Sequence, residues 1–307
     1  FRRVLFRSQF YIANFEVGSL GRYDSQTCIQ EANRVTTTNE AENLEKTYFV
    51  YRSMICLGQY SQVLEQIRNS PTMTNELKAI ALLAQYFAEP EKRTDVVQQV
   101  ALLLNDEMGS SPLVRIIACT VYNNENDYDH AYTAVQNADS LEELSVLVYT
   151  LVRMNRPDKA SEVYAKMCKI DEDHVLSQLA KTWINANGDN EKMKENTYIY
   201  RELMDKLNES AMLVNNYLLS DLRSDDHVAD PAQVEKCFSG LMDEYGKDPK
   251  NPVVLRNLVV VMSIMHKPEE EIGKYLGELE AVCPADTMVT TVKNMSARLQ
   301  QLEKEYV

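Results

Sequence analysis

"CLGQYSQVLEQI", Cys56 to Ile67, joins a Leu-Gly-x-Tyr corner to apolar residues at helical spacing. Val63 stands where a small or apolar residue is expected to contact the preceding helix. Equivalent positions follow at Val97 and Ala131, at a regular spacing, and then at Ala160 after a slightly shorter interval. These four anchors indicate an array of helical hairpins and not a lone hairpin.

The surroundings of the anchors repeat as well. Three residues before each anchor stand Tyr60, Thr94, Tyr128 and Pro157. Thirteen residues before each, on the preceding helix, stand Val50, Ala84, Ala118 and Leu147. The period of about 34 residues resembles that of the tetratricopeptide repeat, in which each unit is a pair of antiparallel helices. We therefore predict an all-α, tetratricopeptide-like α-solenoid of about seven to eight helical hairpins.

Helix-start signals support the array. In "DSLEELSVL", Ser140 precedes Glu143 by three residues, the spacing of a capping box. Three further pairs put an N-cap residue before a proline suited to the first helical turn: Ser111-Pro112, Asp230-Pro231 and Asn251-Pro252. These signals occur about once per half-repeat, which favours a chain of short helices.

Domain organisation follows from the continuity of the helical pattern. We predict one domain over residues 9–307, and we set residues 1–8, "FRRVLFRS", aside as a leader whose non-native origin is left open. After Ala160 the period loosens. The last stretch, "VTTVKNMSARLQQLEKEYV", is expected to be a terminal capping helix, because an end repeat must cover its apolar face with a polar one.

Composition argues against several function classes. The formal charge of −14 argues against binding to nucleic acid or anionic lipid, because both attract surfaces rich in Lys and Arg. No apolar run approaches the roughly 18 residues of a membrane span. The six cysteines are far apart and form no CxxC, so we expect buried, reduced thiols and no metal site.

No group of residues has the spacing of an active site. The four histidines have no second His or Cys three or four residues away, as a metal site on a helix would need. "DEDH", 171–174, indicates a solvated turn with a helix cap, and Trp183 indicates core packing. The sequence has no Walker A, G-x-S-x-G or dinucleotide glycine pattern. We predict no enzyme activity and no cofactor.

Protein binding remains as the expected function. A stacked array exposes its first helices along a concave face, where side chains repeat at the unit period. Counting eleven residues back from each anchor, and fifteen back from the first, gives Tyr48, Arg52, Tyr86, Thr120 and Tyr149. Tyr and Arg are typical interface anchors. We predict a partner-binding groove at these five residues, and the alternative that several pack between neighbouring repeats stays open.

Longer segments resemble one family, the epsilon subunit of coatomer, from about residue 23 to residue 307. They are "CIQEANRV", "VYRSMICLGQYSQVLEQI", "ADSLEELSVLVYTLVRMNRPDKASEVYAKM", "DEDHVLSQLAKTWINANGDNEKMKENTYIYRELMDK" and "NPVVLRNLVVVMSIMHKPEEEIGKYLGEL". One departure is at the start, where "VGSLGRYDSQTCI" holds two extra residues between Tyr23 and Cys28.

The resemblance implies a structural subunit of the coatomer (COPI) coat, cytoplasmic and peripheral on Golgi membranes and COPI vesicles, in Golgi-to-ER retrograde and intra-Golgi transport. It implies a solenoid that curls towards a ring and binds the C-terminal region of the alpha subunit. Other coatomer subunits would be contacted indirectly, with no nucleic acid and no membrane insertion. In the family a strand-like hairpin assists the solenoid in binding this partner. Residues 33–43 or 222–231 are the candidates for such a hairpin here.

An alternative is a generic tetratricopeptide adaptor that clamps short peptide tails. For acidic tails such a clamp needs several cations in its groove, and here Arg52 stands among tyrosines and aliphatic residues.

Overall fold

The computed structural model is mainly helical over the residues that it describes, which are 29–30, 32–34, 40–70, 72–105, 111–207, 209–224, 230–284 and 286–306. This part of the chain contains fifteen bounded α-helices, a short 3-10 helix (Pro90–Lys92) and no strand. The α-helices are α1 (Glu40–Cys56), α2 (Tyr60–Arg68), α3 (Asn75–Ala88), α4 (Arg93–Asn105), α5 (Pro112–Asn124), α6 (Tyr128–Val135), α7 (Leu141–Arg153), α8 (Pro157–Asp171), α9 (Val175–Asn185), α10 (Asn190–Leu207), α11 (Ala211–Arg223), α12 (Pro231–Lys247), α13 (Pro252–Ile264), α14 (Glu269–Val282) and α15 (Thr287–Tyr306). The all-α solenoid prediction is confirmed.

The chain separates into two compact units. Unit 1 ends at Asp189 and unit 2 begins at Asn190, so α1 to α9 belong to unit 1 and α10 to α15 to unit 2. A single domain over residues 9–307 stays a prediction, and each unit is described by itself.

Unit 1 is built from stacked helical hairpins. Each second helix (α2, α4, α6, α8) packs against the first helix of its own hairpin and against the first helix of the next. The first helices α1, α3, α5, α7 and α9 also pack against one another in chain order. They form a continuous row, called the first-helix row below, which is the arrangement expected of a repeat array.

The fourth residue of each second helix anchors it in the core of unit 1. Val63 in α2, Ala131 in α6 and Ala160 in α8 are 0% exposed. In α4 the fourth residue is Val96, also 0% exposed, whereas Val97 is only partly buried. The predicted anchor Val97 is therefore corrected to Val96, because α4 follows a 3-10 helix and starts one residue early in the repeat.

Three hairpin corners of unit 1 share one backbone conformation. Gly58, Asn126 and Asn155 take positive φ angles of 75°, 59° and 56°, each two residues before the next helix. The amide of each residue donates to the carbonyl three residues back, and the following amide donates five residues back, at 2.9 to 3.1 Å. This is the Schellman pattern of helix ends. His266 (φ 51°) has the same two bonds at the end of α13 in unit 2.

Unit 2 is a succession of packed helices from α10 to α15, with α11 also packed against α13. Its last helix is held by its first turn, where Val289 packs with Leu255 and Leu279. Residues 291–301 of α15 are exposed, including Met295 and Leu299. The predicted capping helix therefore covers apolar surface with its first turn, while an apolar stripe further along it faces outward.

Most predicted helix starts are confirmed. Ser140 Oγ accepts from the Glu143 amide, and the Glu143 carboxylate accepts from the Ser140 amide, so α7 has its capping box. Asp230 and Asn251 accept amide bonds at the starts of α12 and α13. Ser111 stands at the N-cap of α5 without a side-chain cap bond.

Several predictions fall on residues outside the described part of the chain. They are the leader at residues 1–8, the departure between Tyr23 and Cys28, and the middle of both candidate hairpin loops, 35–39 and 225–229.

Candidate partner-binding surface

The five residues predicted to form a groove all lie on the first-helix row. Tyr48 and Arg52 are on α1, Tyr86 on α3, Thr120 on α5 and Tyr149 on α7. Arg52, Tyr86 and Thr120 are 5%, 1% and 8% exposed, whereas Tyr48 and Tyr149 are half-buried. Arg52, Tyr86 and Thr120 therefore pack within the free chain, which is the alternative that the sequence left open for several of these residues. Contact of the five residues with a partner stays a prediction.

The middle of the first-helix row is more deeply buried than a simple groove would be. Residues 116–123 of α5 are buried without a break, and so are residues 143–148 of α7. Eight consecutive residues cover more than two helical turns, so every face of that part of α5 is covered. Thr120, which lies inside the buried stretch of α5, is therefore covered, whereas Tyr149 follows the buried stretch of α7 and stays half-buried.

Tyr86 links three helices. Its hydroxyl donates to the Glu125 carboxylate at the end of α5. The guanidinium carbon of Arg93, the first residue of α4, lies 4.9 Å from the centroid of the Tyr86 ring, which is a cation–π distance. Burial, and next the bond to Glu125, raise the pKa of the Tyr86 hydroxyl. These contacts fix Tyr86 as part of the packing between α3, α4 and α5.

Arg52 forms an ion pair with a helix three places further along the row. Its Nη1 lies 2.8 Å from Oε1 of Glu142 in the first turn of α7, and the two side chains are only 6% and 16% exposed. The Nε of Arg52 is also buried and has no hydrogen-bond partner. Glu45 on α1 interacts with this pair as well: burial, then the charge of Glu142, then that of Glu42, raise the pKa of the Glu45 carboxyl. One buried cation thus stands among several carboxylates where α1 meets the start of α7.

A second ion pair at the same helix start was not predicted from the sequence. Arg115 on α5 donates from Nε and Nη2 to Oε1 of Glu143 at 2.7 and 2.6 Å, and the Glu143 side chain is 2% exposed. Two acids at a helix start favour the positive end of its dipole, whatever else they contact. The sequence therefore indicated the cap at Ser140 but not the arginine that Glu143 meets.

Tyr149 belongs to a surface cluster around Arg153. Arg153 donates to the hydroxyls of Tyr128 and Tyr149 at 2.9 and 3.2 Å, and to Oδ1 of Asn126 at 3.3 Å. Trp183 packs edge-on against Tyr149 with ring centroids 5.8 Å apart, and it lies partly buried against the core as predicted. Aromatic residues and arginine dominate protein interfaces. Arg153 is exposed and Tyr149 half-buried, so the end of α7 is an accessible part of the row.

Tyr48 is the other groove residue with solvent access. Its hydroxyl lies 3.4 Å from Oγ1 of Thr74, which caps α3 by accepting from the Leu77 amide. Burial is the main cause that raises the pKa of the Tyr48 hydroxyl. Tyr48 therefore contacts the start of α3 with its polar end while part of its ring remains accessible.

The side chains that could bind a metal or take part in catalysis have structural surroundings. Within the described ranges, no three His, Cys, Asp or Glu residues come together as metal ligands would. His174 accepts from the Leu176 amide through Nδ1 at 3.2 Å and so caps α9. Burial raises the pKa of the Cys119 and Cys237 thiols to about 12 and about 11. The three other described cysteines form no disulfide and are only partly buried, namely Cys56, Cys168 and Cys283, so the expectation of buried thiols was wrong for them.

Together these features define a class. The chain is a helical-hairpin repeat protein whose first helices carry aromatic and arginine contact residues. No helix in its described part has the length and apolar character needed to cross a bilayer.

Comparison with known proteins makes the class specific. The family model of the coatomer epsilon subunit matches residues 5–307. The chain is 27% identical to coatomer subunit epsilon of Dictyostelium discoideum over 96% of its length and 95% of the relative's. It is 27% identical to the Caenorhabditis elegans protein of that name, covering 93% and 94% of the two chains, and 30% identical to coatomer subunit epsilon-2 of Oryza sativa subsp. indica, covering 82% and 81%.

The chain belongs to the coatomer epsilon subunit family, and the resemblance seen in the sequence is confirmed. It is a coatomer subunit, a structural component of a vesicle coat that associates with other coatomer subunits. Membership implies a coat that is peripheral on Golgi membranes.

Proposed function

We propose that this chain binds the C-terminal region of the coatomer alpha subunit and so serves Golgi-to-ER retrograde and intra-Golgi transport. The observation that carries the proposal is family membership over residues 5–307. The first-helix row of unit 1 supports it, because stacked helical hairpins present such rows to protein partners. The same membership supports a non-enzymatic role at the cytoplasmic face of Golgi membranes and on COPI vesicles.

Within this proposed interface the five row residues have different access. Tyr48 and Tyr149 are half-buried and can contact a partner segment without rearrangement. Arg52, Tyr86 and Thr120 are buried, so their contact with a partner requires the row to open locally.

The alternative of an adaptor for acidic peptide tails has less support. Arg52, the cation that such a tail would use, is already paired with Glu142. Glu45 lies beside this pair, where its carboxylate would repel an acidic tail. Tight binding of an isolated acidic peptide would nevertheless revive this alternative.

Co-expression with the C-terminal region of the alpha subunit, followed by native mass spectrometry, tests the proposed function. The expected result is a one-to-one complex. Tyr48→Ala should weaken it about tenfold, the effect of truncating one of the few interface residues that carry most of the binding energy. Tyr198→Ala is the matched control, because Tyr198 on α10 is 69% exposed and lies in unit 2. Absence of any complex, with circular dichroism showing a folded chain, would overturn the proposal.

A further inference from the structure

The ion pair between Arg52 and Glu142 constrains the shape of the first-helix row in unit 1. α1 packs against α3, α3 against α5, and α5 against α7. The axes of packed helices are about 8–10 Å apart, so three steps along a straight row would separate α1 from α7 by roughly 24–30 Å. Two side chains cannot bridge that distance, yet their charged atoms are 2.8 Å apart. The row therefore curves strongly between α1 and α7, and the ion pair joins its first helix to its fourth.

The closed position of this pair is only weakly favoured. Both side chains are largely removed from water, and Nε of Arg52 has no acceptor. Desolvation offsets much of the Coulomb attraction in such a pair, and an unsatisfied buried donor adds to the cost. Glu45 adds repulsion, since burial and the charges of Glu142 and Glu42 raise its pKa. A contact with opposing terms of this kind can open at little cost.

We propose that the Arg52–Glu142 pair is a clasp that holds α1 against the start of α7 in the free chain and opens when a partner segment enters the first-helix row. The inference rests on the proposed function and adds how access to the row is controlled. It accounts for the burial of Arg52, which is 5% exposed although it lies at a predicted partner-binding position. A partner that binds only the open form has its apparent affinity reduced by the closed population.

A neighbouring ion pair offers a matched control. Arg115 and Glu143 join α5 and α7, which already pack side by side, and Glu143 also caps α7. That pair connects adjacent helices of the row and spans no gap. Removing its charge should change stability without releasing α1.

Hydrogen exchange on the folded, full-length chain tests the clasp without a partner. Arg52→Met and Glu142→Gln each remove one charge, while Arg52→Glu combined with Glu142→Arg restores opposite charges. Amides of α1 should exchange about 3- to 10-fold faster in both single variants, as expected for loss of one partly buried pair. Exchange should return towards wild type in the combined variant and stay unchanged in Arg115→Met. Unchanged exchange of α1 in both single variants overturns the clasp.

Binding of the carboxy-terminal region of the alpha subunit tests the opening step. Both single variants should bind about 3- to 10-fold tighter than wild type, since the closed form no longer competes. The combined variant should return to wild-type affinity. Weaker binding by both single variants overturns the clasp and makes these two residues direct partner contacts. If wild type does not bind at all, the proposed function fails, and the exchange result still decides whether the pair holds α1.

Discussion

Gly58 and Asn126 occupy the same left-handed position at two hairpin corners of unit 1, with φ angles of 75° and 59°. Their separation along the chain is twice the repeat period. Both corners are closed by the same pair of backbone hydrogen bonds, although the residue types differ. The backbone therefore repeats more faithfully than the sequence does. Glycine takes this conformation without a Cβ penalty, whereas other residues are strained there to different degrees.

Substitutions at these corners should change stability in a predictable direction. Gly58→Ala should lower the free energy of unfolding by about 1–2 kcal/mol, because a Cβ is disfavoured at positive φ. No heavy atom lies within 4 Å of the added Cβ, so this cost comes from the backbone alone. Asn155→Gly should raise the free energy of unfolding by about 0.5 kcal/mol, since Asn155 is exposed and takes positive φ. Chemical denaturation measures both.

Asn126→Gly serves as the comparison at the second corner. The Asn126 side chain accepts hydrogen bonds from Tyr128 and Arg153, which glycine would lose. The gain seen for Asn155→Gly should therefore be smaller or reversed at Asn126. An unchanged stability of Gly58→Ala would contradict this account of the corners.

Two glycines on α12 separate packing from helix propensity in unit 2. A Cβ at Gly240 would lie 2.8 Å from Cδ1 of the buried Leu218, whereas a Cβ at Gly246 would meet nothing within 4 Å. Gly246→Ala should stabilise by about 0.5–1 kcal/mol, because alanine favours the helix. Gly240→Ala gains the same propensity but displaces Leu218, and overpacking typically costs about 1–3 kcal/mol. Urea denaturation should therefore give Gly246→Ala a higher free energy of unfolding than Gly240→Ala. Equal gains in the two variants would contradict the close contact between Gly240 and Leu218.

The second helices could be predicted from the sequence because their anchors depend on local spacing. Val63, Ala131 and Ala160 combine a small or apolar residue with a corner at fixed distance, and all three are fully buried. The spacing failed by one residue in α4, where the 3-10 helix Pro90–Lys92 replaces the Schellman corner. The repeat period alone cannot distinguish Val96 from Val97, because both fit an apolar helical stripe.

The first helices were harder to predict, because their exposure depends on distant residues. Repeat spacing placed Arg52 and Tyr86 on the correct row, yet it does not show what covers them. Arg52 meets Glu142 from 90 residues away, and Tyr86 meets Glu125 from 39. The second pair follows from the packing of neighbouring row helices and the first from the curvature of the row, and no local signal encodes either. The capping box at Ser140, a three-residue signal, was found without difficulty.

The cap at His174 should make the start of α9 sensitive to acid. Only a neutral ring can accept from the Leu176 amide through Nδ1, and burial lowers the pKa of His174 despite the nearby Asp171. The stability contributed by this cap is present above the unfolded value of 6.5 and is lost as pH falls from there towards the lower folded pKa. The Leu176 amide should therefore exchange faster at pH 5 than expected from the intrinsic rate. NMR-detected hydrogen exchange measures this.

His174→Asn provides the control for the acid effect. Asparagine is a good N-cap residue and does not titrate in this range. The variant should keep the cap and lose the extra acid sensitivity at Leu176. An identical pH dependence in wild type and His174→Asn would show that the ring does not supply the effect.

A buried polar network between α5 and α7 should be costly to interrupt. Oγ1 of Thr150 accepts from Nδ2 of Asn123 and donates to the Val146 carbonyl, both at 2.9 Å, and it lies 3.4 Å from Sγ of Cys119. Thr150 is 0% exposed, so no water replaces a lost bond. Thr150→Val keeps the shape and leaves the Asn123 amide with only a weak sulfur acceptor at 3.3 Å. The free energy of unfolding should fall by about 1–3 kcal/mol, the cost of an unsatisfied buried donor.

The paired change Asn123→Leu with Thr150→Val distinguishes this cost from a simple loss of contact. Removing both polar partners also removes Oδ1 of Asn123, which is buried and has no hydrogen-bond partner in the native chain. The double variant should therefore be more stable than the sum of the single changes by about 1–3 kcal/mol, since apolar replacement of both partners can be nearly neutral. Urea denaturation of the four chains completes the cycle. Strict additivity would mean that Asn123 and Thr150 stabilise unit 1 independently, and the network would then carry no joint energy.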